Sequence, residues 1–113
     1  FRSRAIKSLR GMETRPTPDR LREALFNILA PEIEGAVFVD AYAGTGAVGI
    51  EALSRGARRV IFVERSKAAC AIIRENLRSL GAEARAEIRC VPAVRDLGSA
   101  AADIVFLDPP YAE

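Results

Sequence analysis

The chain has 113 residues, of which 50% are hydrophobic and 28% are charged. That is enough for one globular domain with its own core, but short for an α/β enzyme, so we expect part of a larger domain. The absence of a run of about eighteen apolar residues argues against a membrane-spanning helix. The basic first residues also lack the apolar segment of a signal peptide. These features predict a cytoplasmic protein.

Two absences restrict the chemistry of this segment. The sequence contains no histidine, which excludes Ser–His, Cys–His and His–metal sites within it. Its two cysteines, Cys70 and Cys90, lie among apolar residues and lack the spacing of a metal-binding pair. We therefore expect two buried free thiols and no metal site.

Positive charge is concentrated at the start of the chain. The net charge is +2, but residues 1–22 hold seven basic and two acidic residues, which gives +5 there and leaves −3 for the rest. We divide the chain into a basic arm, residues 1–14, and a domain segment, residues 15–113, which we expect to be the N-terminal portion of a larger domain. The arm is expected either to bind a phosphate-rich partner or to be an ordinary solvated tail.

The first predicted element is a helix that begins near Thr17. Thr17 is suited to the N-cap, Pro18 to the first helical position and Asp19 to the first turn. Apolar residues then recur at helical spacing: Leu21, Ala24, Leu25, Ile28 and Leu29. Pro31 is predicted to end this helix.

From residue 36 onward, short apolar strands alternate with helices. Strands are predicted at residues 37–39, 59–63, 87–91 and 103–107. Between them, one helix runs to about Ser54 and stops at Gly56, and another runs from a cap at Ser66 to Leu80 and stops at Gly81. This alternation predicts an α/β fold with a doubly wound, mostly parallel, Rossmann-like sheet.

Acidic residues follow three of the predicted strands. Asp40, Glu64 and Asp108 each stand where a strand ends. Because ligands of such sheets bind beyond the carboxyl ends of the strands, the three acids predict a site at this rim.

A glycine-rich turn follows the first strand. Gly44, Gly46 and Gly49 fit the dinucleotide pattern G-x-G-x-x-G, and Glu64 lies twenty residues after Gly44, where it would bind ribose hydroxyls. Alone, this pattern predicts NAD. Asp40, however, would repel a pyrophosphate and suits a ligand with an ammonium and a sulfonium, which favours S-adenosylmethionine. NAD and a tight turn without a ligand remain alternatives.

The run Asp108-Pro109-Pro110-Tyr111 follows the last strand and suits a reaction at the exocyclic amine of a nucleic-acid base. Such an amine is a poor nucleophile, because its lone pair is delocalised into the ring. A carboxylate and a rigid backbone carbonyl can accept hydrogen bonds from the amine as it reacts. Tyr111 could stack on a base turned out of its helix. The alternative is a strand followed by a plain Pro-Pro turn.

Three segments together resemble a known family. Residues 15–27 read RPTPDRLREALFN, residues 40–57 read DAYAGTGAVGIEALSRGA, and residues 106–111 read FLDPPY. The chain closely resembles the bacterial small-subunit (16S) ribosomal RNA guanine-N2 methyltransferases of the RsmD type. The first two segments are more specific than the third, which also occurs in DNA amino-methyltransferases.

The resemblance implies a class I methyltransferase fold with a seven-stranded sheet, of which strands one to four are present here. It implies S-adenosylmethionine as cofactor and small-subunit ribosomal RNA, or an assembly intermediate of that subunit, as partner of a monomeric enzyme without metal. The implied cofactor-binding residues are Thr17, Asp40, Tyr42, Ala43, Gly44, Thr45, Gly46, Glu64 and Arg65. The implied residues that hold the target guanine are Asp108, Pro109, Pro110 and Tyr111. Arg20 and Arg22 either belong to a segment over the methionine end of the cofactor or are surface helix charges.

Two departures from the family pattern stand out. The acidic residue that usually follows strand three, and contacts the adenine amine, is replaced by Val91-Pro92-Ala93. Strands five to seven are absent, so residues 1–113 alone are expected to be inactive. A DNA adenine-N6 or cytosine-N4 methyltransferase, an NAD-dependent oxidoreductase and a non-catalytic RNA-binding remnant remain alternatives.

Overall fold

The structure, a computed structural model, describes residues 19–93 and 101–108. Its elements, in chain order, are α1 Asp19–Ile33, β1 Val37–Ala41, α2 Ala47–Ser54, β2 Arg59–Val63, α3 Lys67–Leu80, a 3-10 turn at Glu83–Arg85, β3 Ala86–Arg89 and β4 Ile104–Leu107. The predicted alternation of helices and strands is confirmed.

The four strands form one parallel sheet in the order β3-β2-β1-β4. The register aligns the carboxyl ends of β2, β1 and β4, since Ala41 pairs with Val63 on one side and with Leu107 on the other. Every residue of β1 is buried, as expected for a strand with neighbours on both edges. The predicted parallel α/β sheet is confirmed.

The apolar core divides between the two faces of the sheet. On one face, Phe38 and Phe62 pack with residues of all three helices, among them Phe26, Ile50 and Ile73. On the opposite face lies a second cluster around Val39 and Val63. Because side chains alternate along a strand, Asp40 shares the face of Phe38 and points toward the helices.

Helix α1 differs from the prediction in both its end and its buried face. It continues through Pro31 to Ile33, which is fully buried, and the chain turns at Gly35 with φ +78°. Proline removes one hydrogen bond, and we attribute the survival of the last turn to the burial of Ile33. The buried face carries Phe26, with Leu29 of the predicted series packed against the same core, whereas Leu21 and Ile28 are 61% and 73% exposed.

Different contacts stabilise the ends of α2 and α3. At α3, the predicted cap is confirmed: Ser66 Oγ accepts a hydrogen bond from Ala69 N, and Gly81 ends the helix with φ +69°. At α2, the cap position Gly46 has no side chain to contribute. The guanidinium of Arg85 donates to the carbonyls of Leu53 and Ala57 and so binds the carboxyl end of α2.

Two further predictions need correction. The third strand is Ala86–Arg89, so it begins one residue earlier and ends two residues earlier than predicted. Cys70 is buried as predicted, but Cys90 is only partly buried because it lies beyond the end of β3.

Among the helices that the structure describes, none has the length and apolar character to cross a membrane.

Candidate functional site

Three acidic residues stand at the carboxyl-terminal rim of the sheet. Asp40 is the penultimate residue of β1, Glu64 follows β2 directly, and Asp108 follows β4 directly. Both Glu64 and Asp108 contribute to a raised pKa of Asp40, after the larger effect of its burial. The structure thus places the three predicted acids along one edge of the sheet.

Asp40 is an internal residue of the site. Its side chain is only 2% exposed, and its Oδ2 accepts a hydrogen bond from the backbone N–H of Gly49 at 2.9 Å. Gly49 lies in the first turn of α2, so Asp40 provides from β1 the cap that Gly46 cannot provide.

Burial alters the charge of this carboxyl group. Desolvation raises the pKa of Asp40 to about 8, against the opposing effect of the Gly49 hydrogen bond and with the help of Glu64 and Asp108. Burial therefore favours the neutral form of Asp40 in the folded protein. A neutral carboxyl group repels a pyrophosphate less than the carboxylate expected from the sequence would.

The glycine turn between β1 and α2 has a constrained backbone. Gly44 and Gly46 have φ of +61° and +91°, and Tyr42 has φ +60° although it is not glycine. The turn is tied down by two backbone bonds, from Ala43 N to Val63 O and from Gly46 N to Ala43 O. Such strain in a non-glycine residue is common at binding sites.

The turn leaves room for a ligand at Gly44. A Cβ added to Gly44 would meet no atom within 4 Å, so this backbone faces open space. A ligand could approach the Gly44 backbone closely there, as the glycine pattern predicts.

Glu64 connects the glycine turn to the start of α3. Its Oε1 accepts a hydrogen bond from Gly44 N at 2.8 Å, and its Oε2 accepts one from Ser66 N at 2.9 Å. An ionised carboxylate has about four acceptor positions, so these two bonds leave capacity for ribose hydroxyls. The sequence predicted the position of Glu64 but not its contacts with Gly44 and Ser66.

The third glycine of the pattern, Gly49, serves packing between α2 and β2. A Cβ at this position would lie 2.3 Å from Phe62 Cε2 and 2.9 Å from Val60 Cγ1. We expect Gly49→Ala to lower the free energy of unfolding by about 3 kcal/mol, because overpacking outweighs the gain in helix propensity. Denaturant unfolding of the complete gene product would measure this change.

The Phe62→Leu variant provides the matched test of that cause. If the clash with the ring is responsible, combining Phe62→Leu with Gly49→Ala should recover part of the loss in a double-mutant cycle. Strictly additive losses would show that the cost of Gly49→Ala has another origin.

A residue that the sequence reasoning missed holds the turn from α3. Asn76 is 4% exposed, and its Nδ2 donates a hydrogen bond to the carbonyl of Thr45 at 3.3 Å. The signal was available, because Asn76 interrupts an apolar helix face that includes Ile73, Leu77 and Leu80.

Of the remaining predicted site residues, some are described by the structure and others are not. Arg65 is exposed beside Glu64, and Pro92 is partly buried after β3. Outside the described residues lie the basic arm and four predicted site residues: Thr17, Pro109, Pro110 and Tyr111. Within residues 19–93 and 101–108, no three histidine, cysteine, aspartate or glutamate side chains are arranged so that they could hold a metal ion.

Comparisons with known proteins agree with the fold and the resemblance. Ribosomal RNA small subunit methyltransferase D of Escherichia coli K12 is 42% identical over 99 residues, which cover 86% of this chain and 50% of that protein. The structure of a hypothetical protein from Thermus thermophilus superposes with a TM-score of 0.83 at 34% identity, over 98% of this chain and 66% of that one.

A more distant structure bears on the fold alone. The C-terminal domain of precorrin-6Y C5,15-methyltransferase from Rhodobacter capsulatus matches with a TM-score of 0.75 at 23% identity, over 87% of this chain and 53% of that domain. The structure of a putative RNA methyltransferase from Pyrococcus horikoshii matches with a TM-score of 0.79 at 28% identity, over 93% of this chain and 55% of that one. Together the two structures confirm the predicted class I methyltransferase fold.

The chain is shorter than the relatives that it matches. It spans from 50% to 64% of the length of curated relatives that it matches. The family model described as Conserved hypothetical protein 95 matches residues 1–113, and the chain therefore belongs to that family.

Proposed function

We propose that the complete gene product transfers a methyl group from S-adenosylmethionine to the N2 amino group of a guanine in small-subunit ribosomal RNA. The observation that carries this proposal is the rim of the sheet, where an open glycine turn lies beside Asp40, Glu64 and Asp108. The names of the similar proteins support the reaction class and the RNA partner.

The fit of the cofactor rests on the glycine turn and Glu64. Gly44 borders open space, and Glu64 keeps acceptor capacity beside it for ribose hydroxyls. Thr17, Tyr42, Ala43, Thr45, Gly46 and Arg65 complete the proposed cofactor-binding set, with Asp40 beneath the turn. When bound, S-adenosylmethionine supplies an electrophilic methyl group.

Asp108 is the proposed partner of the target amine. It follows β4, which pairs with β1, and so stands at the same rim as the glycine turn. Its carboxylate would accept a hydrogen bond from the guanine amine, with the Pro109 carbonyl, Pro110 and Tyr111 completing the hold on the base. Placing that amine next to the methyl donor supplies much of the rate.

The three alternative functions considered from the sequence differ from the proposal in their substrate or cofactor. A DNA amino-methyltransferase would use the same rim but act on DNA, and an oxidoreductase would bind NAD at the glycine turn. A non-catalytic RNA-binding remnant would need neither cofactor nor Asp108. Substrate and cofactor preference of the complete gene product separate all three from the proposal.

Nucleoside analysis of small-subunit ribosomal RNA tests the proposed function. Deleting the gene should remove one N2-methylguanosine, and the unaltered gene should restore it. A gene with Asp108→Asn should restore it poorly. An unchanged content of N2-methylguanosine in the deletion strain would contradict the proposed substrate, and a lost DNA modification would favour the DNA enzyme.

Glu64→Ala should weaken binding of S-adenosylmethionine by about 1.5–3 kcal/mol, the range for hydrogen bonds that involve a charged group. The carboxylate would lose its bonds to the ribose and also its support of Gly44 N. Calorimetry on the complete gene product measures this change. Glu83→Ala, which removes an acid with 62% of its side chain exposed, is the control and should bind normally. Equal affinity in the two variants would remove Glu64 from the site.

A further inference from the structure

Asn76 is an unusual residue for its position. Its side chain lies in the buried face of α3 with Ile73 and Leu77. A buried amide without a partner would cost about 1–3 kcal/mol, whereas an apolar side chain would fill the same space without that cost. The use of an amide here therefore calls for a role beyond packing.

The contact of Asn76 lies in the glycine turn. Its Nδ2 donates to the carbonyl oxygen of Thr45 at 3.3 Å, across 31 positions of sequence. Ile73, one helical turn earlier on the same face, lies beside Gly46, since a Cβ there would be 3.2 Å from Ile73 Cγ1. Helix α3 thus contacts two consecutive residues of the turn.

These contacts hold both ends of one peptide group. The peptide that joins Thr45 to Gly46 accepts from Asn76 at its carbonyl and donates from Gly46 N to Ala43 O at 2.9 Å. Because the peptide group is planar, fixing its oxygen and its N–H fixes its orientation. Gly46 has φ +91° and, as glycine, would otherwise have wide conformational freedom.

We infer that Asn76 is a positioning residue for cofactor binding, which keeps the Thr45–Gly46 peptide in the orientation that the cofactor requires. The inference rests on the proposed function, because it assigns the turn to S-adenosylmethionine. Asn76 acts through the turn and does not itself contact the ligand. Without its amide, the peptide can rotate, and binding must first restore its orientation.

Three variants of the complete gene product test this role. Asn76→Leu removes the donor but keeps the branched shape of the side chain, and Asn76→Ala removes the whole amide. Leu77→Ala is the control, because it weakens the packing of the adjacent buried residue on α3. Thermal melting establishes that each variant is folded.

Both Asn76 variants should raise the dissociation constant and the KM for S-adenosylmethionine about 3- to 10-fold, the equivalent of one neutral hydrogen bond, with kcat within about twofold of the wild type. Hydrogen exchange at the Gly46 amide should accelerate in both. Leu77→Ala should lower the melting temperature but leave the affinity and the Gly46 exchange near the wild-type values.

Two results would overturn the inference: Asn76 variants with wild-type affinity and Gly46 exchange, or a Leu77→Ala variant that loses affinity to the same extent. A wild-type protein that does not bind S-adenosylmethionine would instead contradict the proposed function. In that case the exchange rate of the Gly46 amide still decides whether Asn76 holds the turn.

Discussion

Asp108→Asn is expected to lower the turnover of ribosomal RNA methylation by about 10²–10³, the loss typical of one preorganised electrostatic partner. Nitrogen gains positive charge as it attacks the methyl group, so a hydrogen bond from the amine to a carboxylate strengthens toward the transition state. Interactions of this kind raise turnover more than they raise ground-state affinity. The substitution keeps the size of the side chain and removes its charge.

Single-turnover methylation of small-subunit ribosomal RNA by the complete gene product measures this effect. The affinity for S-adenosylmethionine should remain near that of the wild type, because the glycine turn and Glu64 keep their contacts in the variant. Tyr111→Ala should act differently and weaken the hold on the base by about 1–3 kcal/mol, the cost of a lost stack. A fully active Asp108→Asn enzyme would contradict the proposed role, and residues 108–111 would then be a turn without a catalytic function.

The second large effect is a pH dependence of stability that originates at Asp40. Burial raises the pKa of this carboxyl group from 3.8 to about 8 in the folded protein. Between these values the native state keeps a proton that the unfolded chain releases. The stability contributed by the neutral carboxyl group is therefore complete below pH 3.8 and is lost as the pH rises toward 8.

Asp40→Asn should remove this dependence, because an amide does not ionise and its oxygen can still accept from Gly49 N. Relative to the variant, the wild type should lose up to about 1.4 kcal/mol of unfolding free energy per pH unit across that window. Denaturant unfolding of both proteins at several pH values provides the measurement. Parallel stability curves would show that Asp40 is ionised in the folded state at neutral pH.

The same variant also bears on the choice of cofactor. A cationic ligand at the rim favours the ionised form of Asp40, so Asp40→Asn should weaken binding of S-adenosylmethionine even where it stabilises the fold. Binding of NAD by the variant, measured by the same calorimetry, would instead favour the oxidoreductase alternative. Stability and affinity are thus expected to change in opposite directions at this residue.

Local chemistry was enough to predict much of the fold. The cap at Ser66 and the stop at Gly81 depend on a few neighbouring atoms, and both were correct. The position of Glu64 and Asp108 at strand ends also followed from the sequence, since the carboxyl ends of parallel strands share one edge. The end of α1 was not predicted, because the burial of Ile33 outweighs a local signal from Pro31.

The sequence by itself determined the alternation of elements, the glycine turn and the three acids of the rim, because those depend on periodicity and on conformational preferences of single residues. Only the tertiary structure decided what these groups contact. Burial made Asp40 a cap for α2 with a raised pKa, and packing of α3 brought Asn76 to Thr45 across 31 positions of sequence. The physical reason is that desolvation and long-range hydrogen bonds depend on atoms that are distant in sequence, and these meet only when the helices pack on the sheet.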